Sequence, residues 1–165
     1  KALYTVKKNG KHGYNIFSED APEDKVETVV TLAQVQMILG ERNIEAGAMV
    51  LPFESFRTIY RFLKRTRGFY SKNTCLISFA IKRHKEGGTI TLAQTMEQFI
   101  EIVQKTLRQG DVITKNGNNQ ILVLLTNTDA QRDVTSAVNR INKNWGTTEG
   151  GAYFWFNYEW TVMDK

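Results

Sequence analysis

Apolar residues recur along this chain at two spacings, three to four residues apart or at every second position, and the switches between them mark out its elements. Phe53, Phe56, Ile59, Tyr60 and Leu63 share one face of a helix that follows Pro52, a residue a first turn tolerates, and ends near Gly68. The other face of that helix is strongly basic. Thr74 to Ile81 reads as a short apolar strand and Lys82 to Gly88 as a charged, glycine-containing turn; Leu92, Met96, Phe99, Val103 and Leu107 then mark a second helix, closed by Gly110. Asp111 to Thr114 and Gln120 to Leu125 flank Asn116-Gly117-Asn118-Asn119, the most hairpin-like pattern in the chain. Asp129 to Asn144 is amphipathic through Val134, Ala137, Val138 and Ile141, and Tyr153 to Met163 is a last strand rich in aromatic residues. Helix, strand, helix, hairpin, helix, strand is the order of an α+β fold, and one mainly antiparallel sheet with packed helices, a ferredoxin-like palm, is its economical arrangement. Trp155 and Trp160 in the last strand read as core or interface residues rather than a ligand-stacking surface.

The N-terminal third reads differently. Lys1 to Lys8 looks like the end of a helix stopped by Asn9-Gly10, and Tyr14 to Phe17 like a short strand. Ser18 to Asp24 is acidic, carries Pro22 and lacks periodicity, so it is expected to be a linker. From Lys25 to Arg42, Val26, Val30, Ala33 and Met37 recur at helical spacing, with Val29, Leu32 and Leu39 widening the stripe, and a continuous helix is expected there. Core packing is favoured over a coiled coil because the stripe is short. Three segments follow: a tail over 1–18, a linker and connecting helix over 19–47, and a domain over 48–165.

Composition narrows the function. A hydrophobic share of 41% over 165 residues suffices for one core. Cys75 is the single cysteine, flanked by Leu76 and Ile77, which excludes an internal disulfide and suggests a buried thiol in a reducing compartment. The longest apolar runs, such as Ile121 to Leu125, are far too short to cross a bilayer, and no signal-peptide apolar region precedes them. A cytoplasmic piece of a longer protein, without direct membrane contact, is expected. The net charge of +5 comes from clusters at Lys7, Lys8 and Lys11, at Arg57, Arg61, Lys64, Arg65 and Arg67, and at Lys82, Arg83 and Lys85. Solvated faces and helix C-termini account for them, and with no zinc-finger or RNA-binding motif present, nucleic acid is not an expected partner.

Two stretches resemble the same family from opposite ends of its domain. Lys1 to Phe17, with ALYTVKKNGKHGYNIF after its first residue, resembles the terminal helix and strand of GGDEF (diguanylate cyclase) domains, which commonly end ALYxAKxxGxNxxxxF. Asp111 to Leu125 resembles the family's signature hairpin, with Gly117, Asn118, Asn119, Gln120 and Ile121 standing where Gly-Gly-Asp-Glu-Phe would be. The resemblance implies that 1–18 ends one such domain and that roughly 48–165 is a second, degenerate copy. A single-domain layout, with the N-terminal segment packed where the second copy's terminal helix would lie, remains open.

By that resemblance, the family's reaction joins two GTP molecules and needs carboxylates to hold divalent metal ions against the phosphates. The family's metal-binding aspartate would fall at Ser78-Phe79-Ala80, and its acidic pair at Asn119 and Gln120, whose amides carry no charge. No aspartate occurs between Asp24 and Asp111, so no shift of register supplies one. The guanine-reading Asn and Asp would lie within His84 to Met96, which contains neither. Glu86, Glu97 and Glu101 there read as surface charges, and His12 and His84 have no partner for a nucleophilic site. The expectation is no catalytic residue, no magnesium site, no cofactor and no enzyme.

One family feature is present by residue type. Many members bind cyclic di-GMP at an inhibitory Arg-x-x-Asp site five residues upstream of the signature, and Arg108-Gln109-Gly110-Asp111 stands at that spacing, with Arg140 as a third contact. An arginine fork suits the O6 and N7 acceptors of guanine, and a carboxylate accepts from its N–H groups. Against this, Arg108 also suits a helix C-terminus and Asp111 a turn cap. The resemblance therefore implies a non-catalytic regulatory domain of bacterial cyclic di-GMP signalling, with cyclic di-GMP as its ligand. The alternative is a structural or dimerisation module whose partner is another protein or a second copy.

Overall fold

A computed structural model describes residues 30–41, 43–69 and 72–163, which divide into two units between Ile44 and Glu45. In the first unit, helix α1 spans Leu32–Leu39. Thr31 starts it with a capping box: its hydroxyl accepts the Gln34 N–H at 3.3 Å, while the Gln34 side chain accepts the Thr31 N–H at 2.8 Å. The helix expected from Lys25 to Arg42 is therefore shorter within the described residues. Thr31 is extended, which sets the start at Leu32, and an extended Gly40 ends it. Its Leu32, Met37 and Leu39 are exposed, so core packing of this stripe is not seen. Residues 25–29, and the tail over 1–18, lie outside the described residues.

The second unit runs β1 (Met49–Val50), α2 (Phe53–Thr66), a 3-10 turn (Arg67–Phe69), β2 (Asn73–Arg83), α3 (Leu92–Thr106), β3 (Val112–Asn116), β4 (Gln120–Thr128), α4 (Ala130–Trp145), α5 (Glu149–Tyr153) and β5 (Phe154–Val162). From β2 onward this is the β-α-β-β-α-β order of a ferredoxin-like palm. The sheet order is β1-β3-β4-β2-β5, antiparallel throughout except for the parallel β1–β3 pair at one edge. The expected fold class is the observed one.

The two spacings of apolar residues place the layers. On β2, Cys75, Ile77, Phe79 and Ile81 are buried together, pointing to Met96, Phe99 and Val103 of α3 and to Val134, Ala137, Ile141 and Trp145 of α4. The opposite face carries Leu76, Leu122, Leu124 and Val112, covered by Phe56, Ile59, Tyr60 and Leu63 of α2. Leu122 and Leu124 pair across the strands with Thr114 and Val112, so α2 covers the β3–β4 half of that face. Two turns need glycine. Gly117 opens the hairpin at φ +74°, and Gly47, at φ +95°, brings the chain so near α3 that a Cβ would lie 2.0 Å from the Gln104 carbonyl oxygen.

Phe79 is the hinge of the larger core, fully buried and edge-on to Phe99 and Phe156 at centroid distances of 5.8 and 5.6 Å. Phe79→Ala is expected to lower stability by about 3–5 kcal/mol in urea unfolding, while exposed Lys82→Ala on the same strand stays within about 0.5 kcal/mol.

Candidate functional site

The hairpin that carries Gly117 to Ile121 sits beside β2, with Phe79 opposite Ile121 and Ala80 opposite Gln120. Phe79 and Ile121 point into the core, so Ser78, Ala80 and Gln120 share the other face. There Gln120 Nε2 donates to Ser78 Oγ at 2.8 Å, and Asn116 Nδ2 donates to Gln120 Oε1, a row of neutral bonds across β3, β4 and β2. Asn119 Nδ2 donates to the Ile81 carbonyl at 3.3 Å, and its own carbonyl accepts the Ile81 N–H at 2.8 Å. The positions that the family resemblance pairs as metal ligands thus meet in space. They do not fit a divalent cation, which takes charged or carbonyl oxygens. Here an amide N–H points at Ser78, and the amide oxygen of Gln120 is already engaged. Ser78 had one signal in the sequence, the single polar residue between Cys75 and Ile81.

The segment from His84 to Met96 forms the loop before α3 and its first turns. Arg83 ties that loop to itself by donating to the Gly87 carbonyl at 3.2 Å and the Ile90 carbonyl at 3.1 Å, with its guanidinium 4.5 Å from the centre of the Phe154 ring. Beside it lies an open groove of about 540 Å³ whose lining includes Glu97, Glu101 and Glu149. Three carboxylates repel a triphosphate.

Arg108, Asp111 and Arg140 do come together, in the loop after α3 and on α4. They line one small cavity of about 10 Å³ with Leu125, Thr128, Asp133 and Ala137. Asp111 is 1% exposed. One carboxylate oxygen accepts the Arg108 N–H and the other the Thr126 N–H, both at 2.9 Å, fastening the loop to β4. Burial pushes this carboxyl above its ordinary value, opposed by the Thr126 and Arg108 N–H groups and then by the Arg108 charge. Its carboxylate is therefore not the free acceptor that the family resemblance implies; it acts as a turn cap. Thr126, which completes the clamp, was not legible as a partner in the sequence. Arg108 and Arg140 are exposed.

This geometry is that of a GGDEF-type fold, an α+β palm with the signature hairpin at β3–β4. An N-terminally truncated mutant of PA1120 (TpbB or YfiN) from Pseudomonas aeruginosa, comprising only the GGDEF domain, superposes with a TM-score of 0.58 at 13% identity, over 68% of this chain and 71% of the other. The GGDEF domain of the same protein in a second structure gives 0.53 at 10%, over 68% and 75%. No protein-family model and no curated protein matches the chain. Among the described residues no helix is long and apolar enough to cross a membrane.

The Asp111 clamp is testable. In Asp111→Asn the amide oxygen keeps one N–H while its NH₂ faces the other, so stability is expected to fall by about 1–3 kcal/mol. The pH dependence has a definite sign. A carboxyl whose folded pKa is raised binds its proton more tightly in the native state. Its contribution is fully present below the unfolded value of 3.8 and is lost as pH rises through the folded pKa. The margin of wild type over Asp111→Asn, measured by urea unfolding, should widen as the pH is lowered towards 3.8.

Proposed function

We propose that the chain is a GGDEF-type domain without cyclase chemistry, acting as a regulatory module of bacterial cyclic di-GMP signalling in the cytoplasm. The bond from Gln120 to Ser78 carries this reading. In a cyclase of this fold those places need acidic oxygens around magnesium; here two neutral side chains satisfy each other. The glutamate-lined groove beside the Arg83-tied loop supports it, since it disfavours GTP. Purified protein incubated with GTP and magnesium or manganese is expected to yield no cyclic di-GMP by chromatography, and product from pure protein would overturn the reading. Asn119→Asp with Gln120→Glu should stay inactive, because Ser78 and the guanine-reading positions remain unaltered.

A second reading rests on the meeting of Arg108 and Arg140 at one cavity mouth. In it the domain is a cyclic di-GMP receptor. The cavity holds no more than a water molecule, so the ligand would lie across its mouth against the two exposed guanidinium groups, with Asp111 holding the loop beneath them. By calorimetry, Arg108→Ala should weaken binding by about 1.5–3 kcal/mol, and Arg108→Lys should restore little, because an ammonium cannot match two guanine acceptors. No heat from wild type at high cyclic di-GMP would leave a protein partner as the function.

A further inference from the structure

We propose that β5 is a homodimerisation edge, along which two copies of this chain pair antiparallel about a two-fold axis through Tyr158. The proposal stands whether or not the chain takes cyclic di-GMP. Among the described residues β5 pairs only with β2, and along its nine residues no other described strand meets its outer side. Long free edges are usually blunted by proline, lysine, bulges or brevity. Phe154 to Val162 contains neither proline nor lysine, has Glu159 as its one charge, and pairs with β2 in unbroken register.

The side chains favour a copy of the same strand. Phe156, Tyr158 and Trp160 lie on the face that α3 and α4 cover, yet stay only partly buried, since no described strand lies beyond β5; Tyr158 is 41% exposed. A two-fold axis perpendicular to the sheet keeps that face continuous, and full overlap sets each Phe156 opposite Trp160 of the other copy and Tyr158 opposite itself. Aromatic cross-strand pairs of this kind stabilise antiparallel sheets. On the other face, exposed Trp155 meets Thr161, and Glu159 meets Asn157. Sliding the register by two residues in one direction would instead set Glu159 against itself, so charge disfavours that slip. The same patch serves both copies, as an isologous interface requires.

Sedimentation of the full chain at rising concentration should show a monomer–dimer equilibrium, and Tyr158→Lys, which sets two ammonium groups face to face at a solvent-accessible position, should leave it monomeric with unchanged circular dichroism. Should that variant fail to fold, cross-linking decides. Opposed residues of an antiparallel pair have Cα atoms about 4.5–5.5 Å apart, within disulfide reach. Tyr158→Cys should therefore form a disulfide-linked dimer on mild oxidation. Trp155→Cys, facing Thr161, should not, and wild type, whose Cys75 is fully buried, should not either. A wild type that stays monomeric at millimolar concentration, a dimer that survives Tyr158→Lys, or equal cross-linking from positions 155 and 158 would each overturn the proposal.

Discussion

Everything in the larger unit hangs on the two-sidedness of β2. It lies between β4 and β5 in antiparallel register, and its alternation commits Cys75, Ile77, Phe79 and Ile81 to one core, leaving Leu76, Ser78 and Ala80 for the other face. A slip of one residue would exchange these sets, putting Ser78 among Phe99 and Trp145 and exposing Phe79. The same register that buries Phe79 therefore places Ser78 beside Gln120. The core and the Ser78–Gln120 contact are two consequences of one constraint.

On the function proposed above, that constraint lets a palm of this type persist with no carboxylate on the face that Ser78 and Gln120 share. Acids crowded in the middle of β2 and at the start of β4 would repel one another unless a metal neutralised them, and a site kept in that state for chemistry is a source of instability. Here the row from Asn116 through Gln120 to Ser78 is uncharged and satisfied. Neutral amides in those places remove the repulsion and add hydrogen bonds that tie three strands together. Local choices at this face agree with the fold, whereas in an active site they conflict with it.

The sequence displayed the elements whose pattern is long. Helices α3 and α4 and strands β2, β4 and β5 each bury a stripe that shows as a period of 3.6 or 2, so they were legible to within a few residues. Strand β1 was not, because two residues have no period, and its place is set by the Gly47 contact with α3 and by pairing with β3. Helix α5, five residues with Gly150 and Gly151 inside, goes against helix propensity and is held by Thr148 capping the Gly151 N–H and by Gln98 accepting the Gly150 N–H. Helix α1 shows the reverse failure: the apolar stripe extended past its true start, and the capping box at Thr31 decided the boundary. At the site, residue types and spacing pointed to Arg108, Asp111 and Arg140, but no pattern in the chain shows that Asp111 spends both oxygens on the backbone N–H groups of Arg108 and Thr126, on opposite sides of it in the sequence.

That last point separates the two fixed positions of the Arg-x-x-Asp pattern. The fold accounts for Asp111 in full: without a buried acceptor there, the N–H groups of Arg108 and Thr126 would lose the partner that closes the loop on β4. Its hydrogen bond to Arg108 is made through the backbone, and that N–H could come from any residue except proline. Arg108 is exposed, and among the described residues its guanidinium donates no hydrogen bond. Folding thus uses arginine at 108 through its charge rather than through a side-chain hydrogen bond. Its charge favours the ionised forms of Asp111 beneath it and of Asp133 on the same cavity, so the fold gives this arginine an electrostatic part as well as a backbone one.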